Sequence, residues 1–178
     1  DASASLTIIP GGTLNIDGAA AQGLLNNGTI ANGGTINIGS TLNVGAYGLR
    51  NNSIFNNNGG GQLNINKSTN TGLENTGTFT NLATINIGNI AGVGLNGILN
   101  TSIFNNNVGG QINIDRSADA GLYNNTGGTF TNLAILSIGA GFGVGEYGIW
   151  NKATFNSNGG SQLTINRSTD AAIENLGT

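Results

Sequence analysis

A unit of 22 to 27 residues recurs along nearly the whole chain, and every copy carries three apolar anchors at nearly fixed spacing. Copies begin at Leu14, Ile36, Leu63, Ile85, Ile112, Leu136 and Leu163. Those at Ile36, Ile85 and Leu136 are 27 residues long and space their anchors 13, 6 and 8 apart. Those at Leu14 and Leu63 are 22 residues long, with spacings of 10, 6 and 6, and the copy at Ile112 is 24, with two extra residues before Phe130. Long and short units therefore alternate. A unit of this size cannot bury an apolar face alone, so neighbouring copies must stack.

Each anchor lies in three to five alternating residues bounded by Gly-rich stretches, a strand signal, and nowhere does a helical period appear. The chain is expected to be all-β: a right-handed parallel β-helix (β-solenoid) of about seven three-stranded coils with uncapped ends. It reads as one domain, with residues 1–13 forming an N-terminal strand that completes a coil and 14–178 the alternating short and long coils. Stacking turns each anchor into a column. The first runs Leu14, Ile36, Leu63, Ile85, Ile112, Leu136, Leu163, with Ile two residues on in every copy. The second runs Leu24, Leu49, Leu73, Ile98, Leu122, Ile149, Ile173, and the third Ile30, Phe55, Phe79, Phe104, Phe130, Phe155. Asn26, Asn51, Asn75, Asn100, Asn124, Asn151 and Asn175 follow the second column by two residues. Their parity points them inward or at a corner, where stacked amides bond from coil to coil.

Composition removes several functions. Gly and Asn number 32 each among 178 residues, charged residues are 7%, and there is no Cys or His. A thiolate or imidazole metal site and a His- or Cys-based nucleophile are therefore impossible. Five basic residues cannot track a phosphate backbone, so no nucleic-acid partner is expected. No apolar run approaches the roughly 20 residues of a membrane helix. Glu74 and Glu174 share a column, but four coils separate them, roughly 19 Å, too far for a two-carboxylate mechanism. No catalytic residue, metal ligand or cofactor is expected. Asp115, Arg116 and Asp119 recur imperfectly as Asn66/Lys67/Asn70 and Asn166/Arg167/Asp170, which predicts a surface pairing of the base with the acid three residues on, where an acid stands there. Outward Thr78/Thr80 and Thr129/Thr131 pairs suit an ice-matching array, but Ile54/Asn56 and Ile103/Asn105 interrupt it.

The outward residue after the second column varies most. Leu99, Tyr123 and Trp150 fall there in consecutive coils, a stripe about 10 Å long and a candidate contact surface for a host or surface ligand. The fragments FNNN at Phe55, FNNN at Phe104 and FNSN at Phe155, each before a Gly-rich turn, carry a resemblance to right-handed β-helix passenger regions of bacterial secreted adhesins, filamentous haemagglutinin-like or polymorphic autotransporter-like. Gln stands where the companion G-G-A element of the autotransporters has Ala. The resemblance implies an extracellular or cell-surface, structural or adhesive role.

Leu6 aligns with the third anchor, without a first or second strand before it, and the last copy stops as its third strand begins. The chain thus holds seven of each strand. The expected partner is a second copy: head-to-tail polymerisation with Leu6 and Ile8 meeting Leu163, Ile165, Ile173 and Asn175 of the neighbour. The alternative is a fragment of a large bacterial surface adhesin that binds through the aromatic stripe. Residues Asp1–Ser5 are small and polar, as after cleavage of an export signal.

The inward and outward assignments are open to direct test. Phe104→Asp should prevent folding, because it places an unpaired charge between two Phe neighbours, at a cost above about 4 kcal/mol. Asn86→Asp, facing outward, should shift stability by less than about 0.5 kcal/mol. Thermal melts that fell equally for the two would refute the assignment.

Overall fold

The computed structural model describes residues 4–178. Asp1–Ser3, part of the small polar stretch expected to follow an export-signal cleavage, lie outside the described residues. All 21 strands pair in parallel in three seven-stranded sheets, and each coil gives one strand to each sheet. The first sheet stacks Ser5–Ile8, Thr29–Asn32, Ile54–Asn57, Thr78–Asn81, Ile103–Asn106, Thr129–Asn132 and Thr154–Ser157. The second stacks Thr13–Ile16, Thr35–Ile38, Gln62–Ile65, Thr84–Ile87, Gln111–Ile114, Ile135–Ile138 and Gln162–Ile165. The third stacks Gln22–Asn26, Tyr47–Asn51, Thr71–Asn75, Ile98–Asn100, Ala120–Asn124, Tyr147–Asn151 and Ala171–Asn175. This is the seven-coil β-solenoid that the repeat predicts.

The register matches the sequence columns residue for residue. Leu63 pairs with Ile36 and Ile85, Leu73 with Leu49 and Ile98, and Phe79 with Phe55 and Phe104. The inward members from Ile36 to Leu136 are sealed, most of them at 0% exposure. Each such Ile, Leu or Phe contributes about 1.5–3 kcal/mol by leaving water. Phe55, Phe79, Phe104 and Phe130 form one face-to-face stack with centroids 4.6–4.8 Å apart, and Phe155 continues it at 5.6 Å. That separation is the strand spacing itself, so the sheet sets the stack.

Two inward Asn columns run beside the apolar ones. In the first, each amide nitrogen from Asn26 to Asn151 donates to the carbonyl oxygen of the Asn one coil on, at 2.7–2.9 Å. In the second, Asn32, Asn57, Asn81 and Asn106 do the same at 2.7–2.8 Å, and the run ends at Asn132, which accepts from Asn106 and donates to Gln162 O because Ser157 stands one coil on. The side chains also shape the corners: Asn51, Asn75 and Asn100 donate to the carbonyls of Ser53, Gly77 and Ser102, two residues on. Both inner ladders donate toward the C-terminal end. A third ladder, outward on the second sheet, links Asn15, Asn37, Asn64, Asn86 and Asn113 at 2.8–2.9 Å and donates toward the N-terminal end.

The long units differ from the short ones at two corners. Between the first and second sheets they insert a Gly turn closed by Gly61 N–H to Asn58 O and Gly110 N–H to Asn107 O, both 2.8 Å. Gly60 and Gly109 sit there at φ of +84° and +90°, which a side chain would resist. Between the second and third sheets they add a longer loop, beginning at Gly39, Gly88 and Gly139. The short coils clamp these loops from both sides. Asp17 Oδ1 accepts the N–H groups of Thr41 and Leu42, and Asp115 Oδ1 those of Gly141 and Phe142. The Thr41 N–H above all holds the Asp17 carboxyl below its ordinary pKa.

The buried ladder sets a measurable cost. Asn100→Leu leaves the Asn124 carbonyl and one Asn75 N–H without their partners inside the core. It should destabilise by about 1–3 kcal/mol in denaturant titrations. Asn64→Ala breaks only the outward ladder and should cost less than about 0.5 kcal/mol.

Candidate functional site

Two places carry the candidate residues: the outward column of the third sheet and the two terminal coils.

The outward column reads Leu25, Arg50, Glu74, Leu99, Tyr123, Trp150, Glu174, in register throughout. Leu99, Tyr123 and Trp150 are thus brought together as their spacing predicts, and all three are half-buried. The Tyr123 and Trp150 rings stack at 4.4 Å and 15°. Tyr147 adds a second ring at 5.1 Å, and the Lys152 ammonium lies 3.9 Å from the Trp150 centroid. The indole is thus flanked by two aromatic rings and an ammonium. Its Nε1 is buried and has no partner. Burial, then the carboxylates of Glu174, Asp170, Glu146 and Asp119, push the Tyr147 hydroxyl up.

Sequence reading missed Tyr147 and Lys152. Strict alternation places Tyr147 inward, with Ile149. The alternation slips at Gly148: this glycine and Ile149 both face the interior, and a Cβ on Gly148 would lie 2.3 Å from Ile165 Cγ2. A glycine stands at that place in six coils, which was the signal available.

In the same column Arg50 Nε lies 2.8 Å from Glu74 Oε2, the one ion pair among the described residues. Arg50 also sits over the Tyr47 ring, 5.3 Å from its centroid. Glu74 is only 8% exposed. Its burial raises the carboxyl pKa above the ordinary value, and Arg50 offsets part of the rise.

The surface pairing predicted for Arg116 with Asp119 is corrected. Arg116 Nη1 instead donates to Asn89 O at 3.0 Å, and its guanidinium lies 3.2 Å from the Phe142 ring centroid. Lys67 Nζ and Arg167 Nη1 donate likewise to Thr41 O and Gly141 O, both at 2.8 Å. In each case the base reaches back to the loop of the preceding long coil. Open loop carbonyls at that distance outcompete a solvated carboxylate on the same short coil.

At the terminal coils Leu6 is 41% and Ile173 51% exposed, Leu163 and Ile165 are half-buried, and Asn175 is exposed. Ile8 is only 8% exposed, already covered within its own end. The topology also sorts these residues by sheet. Leu6 and Ile8 belong with Phe155, Leu163 and Ile165 with Leu14 and Ile16, and Ile173 and Asn175 with Leu24 and Asn26. Beside Leu6 an open cleft of about 280 Å³ runs between Ala4–Leu6 and Leu24–Ile30. Among the described residues no three of His, Cys, Asp and Glu lie close enough to hold a metal ion, and no helix is long and apolar enough to cross a membrane.

The chain matches no family model, no curated protein and no solved structure.

Glu74 gives the column a pH signature. A carboxyl whose pKa is raised on folding binds more protons in the native state, so its contribution is full in acid and is lost as pH rises through the folded value. Wild-type stability relative to Glu74→Gln should therefore decline as pH climbs above 4.5, the carboxyl's ordinary value. Melting temperatures of both proteins from about pH 3.5 to 7, roughly the span of that titration, check it. Parallel profiles would show Glu74 titrating as a free carboxyl.

Proposed function

We propose that the chain is a structural subunit of an extracellular bacterial filament, growing head to tail by stacking one solenoid on the next. The role is structural rather than catalytic. One observation carries this reading: the interior columns keep their register from the first coil to the last. Leu14, Ile16 and Leu24 open one end, and Leu163, Ile165 and Ile173 the other, as positions of the same columns. A second copy set on the last coil would continue each sheet by strand addition.

Sorting by sheet defines the joint. Leu6 of the arriving copy lies over Phe155, Leu14 and Ile16 over Leu163 and Ile165, and Leu24 over Ile173. Thr178 already lies beside the first sheet, where its carbonyl accepts the Phe155 N–H at 2.7 Å. That is the place Ser5 of the arriving copy would take, so residues before Leu6 leave the line of the sheet. The inner Asn ladder supports the polarity. Asn175 presents N–H groups at one end and Asn26 its carbonyl oxygen at the other, so only a head-to-tail joint extends the ladder.

The second reading is a segment of a surface adhesin that binds through Leu99, Tyr123 and Trp150. The unpartnered Trp150 Nε1 favours it. Its support from sequence is the likeness of the FNNN elements to adhesin passengers, which also supports a place outside the cell.

Light scattering and electron micrographs of the purified chain at high concentration decide between them. Filaments one solenoid wide are expected, with a fibre-diffraction repeat of about 4.8 Å along the axis. Deleting residues 1–9 should abolish them and leave the middle coils folded. A chain that stays monomeric overturns the filament.

A further inference from the structure

Six coils carry a glycine just before the Leu or Ile of the third sheet: Gly23, Gly48, Gly72, Gly97, Gly121 and Gly148. The seventh carries Ala172. The glycines are a packing requirement of the stack. A Cβ at any of the six would lie 2.3–2.7 Å from the Cγ2 of an Ile in the next coil: Ile38, Ile65, Ile87, Ile114, Ile138 or Ile165. It would also lie 2.5–2.8 Å from the carbonyl oxygen of the residue directly above it in the third sheet. The Ile methyl could turn away. The carbonyl could not, because it belongs to the backbone ladder that holds the coils together.

Ala172 has such a Cβ, on the face that an arriving coil would cover. In a second copy stacked at the internal spacing, the atoms meeting it would be Gly23 O and Ile16 Cγ2. Contacts of this kind settle at about 3.5 Å or beyond, so the arriving strand Gln22–Asn26 would have to stand off by roughly 1 Å. That displacement stretches the backbone bonds between the two copies in the third sheet, and with them the bond that Asn175 would offer Asn26.

We infer that Ala172 is a steric stop on the third sheet, which makes the joint between two copies of this chain weaker than any joint between coils within it. This rests on the head-to-tail stacking proposed above and names what limits it. The second sheet, and the first from Leu6 onward, meet the arriving copy at the internal spacing, and the third meets it loosely. The joint is then reversible where the interior is not, and its strength is set by one methyl group.

Ala172→Gly tests this, since it removes the methyl from an exposed position and should leave the melting temperature of the isolated chain almost unchanged. The critical concentration for assembly, by light scattering and sedimentation, should fall at least tenfold relative to wild type, and Ala172→Val should raise it. If wild type forms filaments and Ala172→Gly assembles no better, the stop is refuted and the filament stands. If wild type stays monomeric and Ala172→Gly assembles, the stop stands and blocks stacking outright, and the native filament is refuted. If neither assembles, both fall.

Discussion

Parallel stacking in exact register places every side chain over its counterpart one strand spacing away. Each inward position must therefore be able to pack against itself. Ile, Leu and Phe satisfy this by burial. Asn satisfies it because its side chain carries both a donor and an acceptor, so one amide bonds to the next without a remainder. A carboxylate or an ammonium in the same place would meet its own charge about 4.8 Å away in both directions. The low charge of the interior-facing strands and the high Asn content follow from that one geometric condition.

The same condition explains where variety is allowed. Outward positions meet water, and there the columns change identity from coil to coil: Arg50 above Leu25, Glu74 above Arg50, Trp150 above Tyr123. Neighbours still choose one another, as the Arg50–Glu74 pair and the stacked Tyr123 and Trp150 rings show. The corners between the second and third sheets vary in length instead. Longer loops leave carbonyl and N–H groups without partners in their own coil, and residues of the flanking short coils supply them. Lys67, Arg116 and Arg167 cap carbonyls, and Asp17 and Asp115 cap N–H groups. Alternation of long and short coils is thus a way of closing every second loop with its neighbours.

The glycine column couples two sheets that the anchors treat separately. From Ile38 to Ile165, the Ile that ends the second-sheet strand presses its Cγ2 into the space a Cβ would fill one coil below, on the third sheet. Overpacking at such a position is costly because neither the methyl nor the backbone carbonyl has room to yield. Six coils conform, and the seventh carries Ala172 at the same place.

The sequence by itself determined the strands, their number per coil, the register and the inward faces, because a repeat at fixed spacing translates directly into columns. Leu99, Tyr123 and Trp150 could be placed side by side on that ground alone. Only the tertiary structure decided how the alternation slips at Gly48 and Gly148, so that Tyr147 joins Trp150 on the outer face. It alone also showed that Arg116 turns to the loop carbonyl of Asn89 instead of to Asp119. Both outcomes depend on distances between neighbouring coils across a corner. Period and parity within one coil carry no information about those distances, which arise only when backbone carbonyls, branched methyls and loops of successive coils compete for the same space.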